Sequence, residues 1–167
     1  MGCDFPGVST TGRYEIVTSL PAPDELKNDR EVVIEAIKND GIAITFASEY
    51  LQNDKELVLM AVRGNAFSLE YVSEDFKNNK EIVLEAVKYF GGSLEFASEE
   101  LKNDSEVVLE AVRDDGMALE YASEELKNDK EIVMAAVKHN GNALRFASKE
   151  LKKDEELIAL SKQKNNE

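Results

Sequence analysis

The sequence predicts an all-α solenoid of five 25-residue αα-hairpin repeats plus a C-terminal capping helix. One observation is the period: the segment 123–138, SEELKNDKEIVMAAVK, has close copies that begin at residues 98, 73 and 48, at steps of 25 residues. The other is that each copy contains two short segments whose apolar residues recur at helical spacing. A constant period of this size is typical of stacked helical repeats, in which one repeat buries its apolar face against its neighbours.

The first helix of each repeat is predicted to begin at an Asn-Asp pair, such as Asn128-Asp129. Both side chains can accept hydrogen bonds from the amides of a first helical turn. Glu131, three residues after Asn128, has the spacing of a capping box. The residues that follow are mostly apolar and leave Glu131, position 135 and Lys138 as a narrow exposed stripe. We therefore expect a helix that is buried on more than one side.

A corner follows the first helix, and four of the five corners contain a glycine in the same register. These glycines are Gly41, Gly91, Gly116 and Gly141. We expect them to end the helix in the left-handed conformation, which costs glycine little. The second repeat has Ala66 in this register, after Gly64 and Asn65, so we expect its corner to be built differently.

The second helix is predicted over residues 118–126, ALEYASEEL. Its apolar residues share one face at three- and four-residue spacing, and its glutamates point away from that face. The apolar residues are Ala118, Leu119, Tyr121, Ala122 and Leu126. Ser123 and its equivalents are expected to bond a carbonyl oxygen four residues earlier or to cap a final turn. Because no general base recurs beside these serines, a structural role is favoured over a catalytic one.

The two ends of the array depart from the internal pattern. Residues 157–160 repeat the apolar pattern of the first helix, but Ser161 and Lys162 replace the apolar residues found in their registers, which is typical of a terminal capping helix. At the other end, residues 1–11 are predicted to be disordered and 12–20 to form a short strand or an extended arm. The predicted organisation is a tail and degenerate cap over 1–23, the repeat domain over 24–160 and a polar C-terminal end over 161–167.

The repeat consensus, LKNDKEIVLEAVKxxGxALEFASEE, resembles the repeat of domain-of-unknown-function family four-one-one-six. The resemblance covers about residues 24–160. Repeats of that family occur in tandem in bacterial, protist and large-virus proteins, some of them from organisms that live inside host cells. The resemblance implies an all-helical tandem array with an interaction role. It implies no catalytic residue, because the family brings no established activity.

The composition argues against several classes of partner. A formal net charge of −14 disfavours nucleic acid and anionic membrane surfaces, both of which are bound through Lys and Arg. No segment has the roughly 18 apolar residues of a membrane span, and the N-terminus does not resemble a secretory signal. Cys3 is the single cysteine, so no intramolecular disulfide can form. We expect a cytoplasmic protein, or one delivered into a host cytosol.

An N-terminal lipid anchor is disfavoured by the residues that follow the start. Gly2 and Cys3 invite comparison with a myristoylated and palmitoylated N-terminus, but that motif requires Ser or Thr at the sixth position, where this chain has Pro6. The alternative is a soluble, disordered tail.

The sequence contains few residues that could support catalysis or bind a metal. His139 is the only histidine, which rules out a His or Cys zinc cluster and leaves little basis for a nucleophilic triad. The Asp114-Asp115-Gly116 segment lacks the alternating ligands and the bidentate glutamate of a calcium loop. No glycine-rich phosphate loop is present. We therefore predict no catalytic, metal or cofactor site, and no enzymatic activity.

The registers that vary between repeats indicate where a partner could bind. They lie at the corners, at the positions of residues 114, 115 and 117, which should line up along one edge of a repeat array. The predicted partner-binding residues are Phe67, Tyr89, Phe90, Met117 and His139. Two interpretations of Tyr89-Phe90 stay open: the rings form an exposed contact ridge, or they fill a local gap in the stack. In the second case the binding surface would be the stripe at positions 60, 85, 110 and 135.

The function that these observations favour is a non-enzymatic protein-interaction module or scaffold with a protein partner. The alternative is a structural spacer or surface protein, whose acidic exterior serves solubility alone.

Overall fold

The computed structural model describes residues 23–166, and most of them are helical. Within that range there is no β-strand, and six α-helices of ten residues recur at the 25-residue period. These long helices are α1 Arg30–Asn39, α2 Lys55–Gly64, α3 Lys80–Tyr89, α4 Ser105–Asp114, α5 Lys130–His139 and α6 Glu155–Lys164. The predicted all-α repeat is confirmed.

Two shorter elements complete each repeat. A six-residue 3-10 helix follows each of the first five long helices: Gly41–Phe46, Ala66–Tyr71, Gly91–Phe96, Gly116–Tyr121 and Gly141–Phe146. A single helical turn then precedes each long helix: Asp24–Lys27, Glu49–Gln52, Glu74–Lys77, Glu99–Lys102, Leu126–Asn128 and Leu151–Lys153.

The prediction of one continuous second helix over residues 118–126 is therefore wrong. The 3-10 helix ends at Tyr121, and Ala122 is extended, with φ −66° and ψ 157°. The Ser123 hydroxyl then accepts a hydrogen bond from the Leu126 amide at 3.2 Å, so this serine begins the next turn instead of capping a final one. The same hydroxyl donates to the side chain of Asn103 in the preceding repeat, which gives it the structural role that was expected.

The start of each long helix also differs in detail from the prediction. Asp129, not Asn128, is the N-cap of α5, and its carboxylate accepts from the amides of Glu131 at 2.8 Å and Ile132 at 3.2 Å. Glu131 is thus the second helical residue, and the capping box predicted from it is wrong. The asparagine register has another use: the Asn103 side chain accepts the hydroxyl proton of Ser123.

The corner glycines are not left-handed. Helix α4 ends at Asp114, Asp115 is extended with φ −136° and ψ 108°, and Gly116 opens the 3-10 helix. Glycine is needed there because of a close approach: a Cβ on Gly116 would lie less than 3.0 Å from the carbonyl oxygen of Ala136 in α5. Gly41, Gly91 and Gly141 likewise face the carbonyl oxygens of Ala61, Ala111 and Ser161.

The corner at Ala66 is also built like the others, contrary to expectation. Asn65 has φ −156° and ψ 108°, close to the values of −152° and 121° at Asp40. A backbone that does not enter the left-handed region does not require glycine on conformational grounds, so an alanine can open the same 3-10 helix.

The chain divides into two compact units, one ending at Val72 and the other beginning at Ser73. In the first unit α1 packs against α2 around one apolar core, formed by Val33, Ile37, Ile44, Ala47, Leu51, Leu57 and Ala61. In the second unit α3 to α6 pack in series, each against the next. The largest fully buried side chains of this unit are Ile82, Leu94, Leu119, Ile132 and Leu157.

The long helices bury one broad face each. In α5 the buried residues are Ile132, Val133, Ala136 and Val137. Glu131 and Lys138 are exposed as expected, while residue 135 is half-buried. Helix α6 buries only Leu157, which is consistent with its predicted role as a terminal cap.

The predicted domain boundaries stay predictions. The tail and degenerate cap over 1–23, with Gly2, Cys3 and the arm at 12–20, lie outside the described residues apart from Pro23.

Candidate functional site

Four of the five corners share a hydrogen bond that fixes the backbone and leaves one side chain unconstrained. At the fourth corner, the Asp115 carboxylate accepts from the Met117 amide at 2.9 Å. Equivalent bonds of 3.0, 3.1 and 3.0 Å join the amides of Ile42, Phe67 and Asn142 to the side chains of Asp40, Asn65 and Asn140. The register of residue 115 is thus the N-cap of the 3-10 helix, and the register of Met117 can hold any side chain.

A second capping bond links successive repeats of the second unit. The Asp114 carboxylate accepts from the Gly91 amide at 2.7 Å, and Nδ1 of His139 accepts from the Gly116 amide at 3.0 Å. The last residues of α4 and α5 therefore each cap the corner of the repeat before them. His139 has this structural role in addition to being exposed, and the bond requires Nδ1 to be unprotonated.

These bonds bring three corners of the second unit into one continuous edge, which we call the corner ridge: residues 89–92, 114–117 and 139–142. Tyr89, Phe90, Met117 and His139 all lie on it. Met117 is half-buried, whereas the other three are exposed. Phe67, the fifth predicted residue, occupies the Met117 register in the first unit, and 44% of it is exposed.

Tyr89 and Phe90 depart from the corner pattern. Phe90 has the N-cap backbone conformation, with φ −156° and ψ 101°, but its side chain makes no capping hydrogen bond. Its ring lies against Gly92, where a Cβ would come within 2.7 Å of two ring carbons. The Phe90 side chain nevertheless remains 37% exposed and Tyr89 remains 61% exposed. The Phe90 ring thus packs on its own repeat and leaves part of its surface exposed to solvent. Most of Tyr89 is exposed to solvent.

Sequence reasoning missed one aromatic residue of the first unit. Tyr50 lies in the turn Glu49–Gln52 and is 79% exposed, the most exposed large apolar side chain of the described range. It borders a shallow depression with Glu49, Asn53 and Asp54. A signal was available, because the other four repeats have an acidic residue in this register: Asp75, Glu100, Glu125 and Glu150.

Ion pairs join the first residue of one long helix to the N-cap region of the next. The Lys130 ammonium lies 2.8 Å from carboxylate oxygens of both Asp154 and Glu156. The hydrogen bond that the Lys130 ammonium donates to Asp154 is the main cause that raises the pKa of Lys130 to about 12, and the same bond lowers the pKa of Asp154. Lys80 makes the equivalent pairs with Asp104 and Glu106, at 2.7 and 2.8 Å.

The described part of the chain lacks two further classes of site. Among residues 23–166, no three His, Cys, Asp or Glu side chains come together as a metal-ligand set. In the same range no helix is both long enough and apolar enough to cross a bilayer.

Comparison with known proteins identifies the repeat. The model of one family, described as domain of unknown function (DUF4116), matches the chain at 21–52, 29–77, 54–102, 79–127, 104–152 and 129–161. These six overlapping matches run through the repeats and confirm the resemblance expected from the consensus. Neither the curated proteins nor the solved structures provided a significant match.

Proposed function

We propose that this chain, which belongs to the DUF4116 family, is a non-enzymatic protein-interaction module that binds a protein partner through the corner ridge. Tyr89 and Phe90 are the central anchors of the contact, and Met117 and His139 flank them. Phe67 offers an apolar contact of the same kind in the first unit. We place the module in a cytosol, its own or that of a host, because its single cysteine cannot form an intramolecular disulfide.

The observation that supports this proposal most is the loss of a cap at Phe90. The four other corners have Asp or Asn in this register, and each accepts a hydrogen bond from the 3-10 helix. Such a cap typically contributes about 1 kcal/mol. Phe90 gives up this contribution and leaves more than a third of its surface in water. Local stability therefore does not explain the aromatic residue, whereas contact with a partner does.

The neighbours of the two rings also suit an interface. Gly92 has no side chain, so the Phe90 ring can lie on the backbone and is held in place before any partner arrives. An ordered ring loses less conformational freedom on binding than a free one. Aromatic side chains are common anchors of protein interfaces, and the acidic groups around them would act mainly on the association rate.

The test is a comparative pull-down with the double variant Tyr89→Ser, Phe90→Asn. Immobilised wild-type chain, the double variant and the control Tyr50→Ser are exposed to the same native lysate. Proteins retained by the wild type and by the control should be depleted from the double variant by about tenfold or more, equivalent to about 1.4 kcal/mol. Tyr50 is the matched control because it is an exposed aromatic residue that is not one of the predicted partner-binding residues.

A thermal melt of each variant completes the experiment. We expect the double variant to be as stable as the wild type, because Asn in the Phe90 register restores the cap seen at Asn65 and Asn140. A double variant that melts much earlier would mean that the rings belong to the core. If the same proteins remain bound, the contact lies elsewhere, and if none is ever retained, the spacer function is favoured.

A further inference from the structure

A row of cations runs through an acidic chain at one constant register. The row lies in the last turn of each long helix and consists of Lys38, Arg63, Lys88, Arg113 and Lys138. A cation there complements the partial negative charge of the helix C-terminus. Helix stability thus accounts for the row itself, and any further role has to come from the surroundings of individual members.

The residue three positions earlier is acidic for three members of the row and apolar for two, with Met60 before Arg63 and Ala135 before Lys138. Glu110 lies 3.9 Å from Arg113, and Glu35 pairs with Lys38. In α5 this position is Ala135, and among the described residues no carboxylate forms an ion pair with Lys138. The local charge of the α5 cation is therefore not neutralised as it is at the equivalent places in α1 and α4.

A groove lies at this place, between α4 and α5. It has a volume of about 560 Å³ and is lined by Arg113, Glu131, Met134, Ala135, Lys138 and His139. Met134 and Ala135 are half-buried and supply apolar surface, whereas the two cations are exposed. Glu131 is the single acid among the lining residues.

We propose that this groove binds an extended acidic segment of a partner protein. Packed helices lie roughly 8–10 Å apart, and a segment extended in the polyproline II conformation advances about 3.1 Å per residue with three residues per turn, so its side chains three positions apart share one face. Two carboxylates three positions apart in the ligand therefore match Arg113 and Lys138. An apolar residue between them would cover Met134 and Ala135. The guanidinium of Arg113 can bind a carboxylate with two parallel hydrogen bonds.

The negative charge of the rest of the chain should make the acidic segment bind selectively in the groove. A net charge of −14 repels acidic ligands from most of the surface, so binding should depend strongly on the few residues of the groove. The inference does not rest on Tyr89 and Phe90, since His139 alone belongs to both surfaces.

The experiment titrates the full-length chain into a fluorescent nonapeptide with Glu at its third and sixth positions and Leu between them. Fluorescence anisotropy measures the affinity at about 50 mM and about 300 mM salt. A peptide with Gln in place of both Glu residues is the ligand control. We expect the Glu peptide alone to bind, and its affinity to fall at least fivefold at the higher salt concentration.

Two variants change the affinity in opposite directions. Ala135→Glu restores the carboxylate that α4 has at Glu110, so the register is known to accept it, and binding should weaken by tenfold or more. Glu110→Ala frees Arg113 and should strengthen binding severalfold. Lys152→Glu is the matched control: this exposed lysine lies outside the groove, and its reversal makes the net charge more negative than Ala135→Glu does. It should leave the affinity within twofold of the wild type.

Several results would overturn the proposal. They are equal binding of the Gln peptide, no binding of the Glu peptide at millimolar concentration, and an equal loss of affinity in Ala135→Glu and Lys152→Glu. Sedimentation that shows the wild type associating with itself through this groove would replace the proposed partner by a second copy. If Ala135→Glu fails to fold by circular dichroism, the Glu110→Ala arm decides, and unchanged affinity in that variant refutes the idea.

Discussion

The replacement Gly116→Ala tests why glycine opens the corner helix. In the structure, a methyl group at this position would meet the backbone of α5: the carbonyl oxygen of Ala136 at less than 3.0 Å and the amide nitrogen of Asn140 at 3.1 Å. Neither atom belongs to a flexible side chain that could rotate away. The second corner has Ala66 in this register, so a methyl group is not excluded in principle. At Gly116, however, it can be accommodated only by moving the corner of the fourth repeat away from α5.

The size of that movement sets the expected loss of stability. Ordinary van der Waals contact begins near 3.4 Å, so the two elements must separate by several tenths of an ångström or more. A gap of about 0.5–1 Å forfeits a quarter to a half of each dispersion contact across the interface. Overpacking of this kind typically costs about 1–3 kcal/mol. We expect about 2–3 kcal/mol for Gly116→Ala and more for Gly116→Val.

Gly64→Ala provides the matched control, because the same chemical change should here increase the free energy of unfolding instead of lowering it. A Cβ on Gly64 would lie 3.5 Å from the Ile37 carbonyl oxygen, an ordinary contact, and Gly64 is the last residue of α2. Replacing a helical glycine by alanine typically gains about 0.5–1 kcal/mol. Exposed Glu120→Ala is a second control and should change the free energy of unfolding by less than about 0.5 kcal/mol.

Thermal and urea denaturation followed by circular dichroism measure these differences. A change of 1 kcal/mol shifts the midpoint by about 2–4 °C for a chain of this size, so Gly116→Ala should melt about 4–12 °C below the wild type. Equal midpoints would refute the close-approach explanation. A variant Gly116→Asn that is clearly more stable than Gly116→Ala would support a left-handed corner instead, because Asn tolerates that conformation better than Ala does.

Two further predictions concern the bonds between repeats. Lys130→Met should lower the urea midpoint at neutral pH. The difference in midpoint between this variant and the wild type should vanish at very low and at very high pH. The raised pKa of Lys130 makes this stabilisation complete below its ordinary value of 10.5 and lost as the pH rises through about 12. The lowered pKa of Asp154 keeps the stabilisation present above 3.8 and loses it at lower pH; a difference that persists at pH 2 would contradict the pairing. His139→Asp should retain an acceptor for the Gly116 amide, whereas His139→Leu should lose about 1 kcal/mol in the same denaturation assay; equal stability of the two variants would show that this bond contributes nothing.

The period and the buried registers were predictable from the sequence, whereas the internal division of each repeat was not. Leu119 and Leu126 are seven residues apart, a spacing that fits one continuous helix and also fits a 3-10 helix followed by a separate turn. Only the extended backbone at Ala122 decides between them. Asn128 and Asp129 both carry a suitable side-chain oxygen, so residue type alone could not identify the N-cap.

The corner glycines illustrate a second limit. Glycine suits a left-handed residue because it has no Cβ, and it suits a close approach of two backbones for the same reason. The sequence around Gly116 is compatible with both explanations. The distinction depends on Ala136, twenty residues away, whose carbonyl oxygen occupies the space that a side chain would need.

The residues of the candidate site could be predicted because they vary from repeat to repeat. This variation has two different physical causes. Asp114 and His139 are different residue types in one register, yet each accepts a hydrogen bond from the glycine amide of the preceding repeat. Two different side chains therefore have the same structural role. Met117 and Phe67 vary for another reason. Their amides bond the cap side chain, and this bond is the same for every residue type.

This independence makes the Met117 register suitable for encoding partner specificity. A capped amide holds the backbone at four of the five corners, while the side chain of this register contributes little to the fully buried core. Ile42, Phe67, Gly92, Met117 and Asn142 can therefore occupy equivalent places in one array. At the third corner the two neighbouring registers act together: Gly92 leaves the space that the Phe90 ring fills, so an aromatic surface replaces the cap without disturbing the fold of the 3-10 helix.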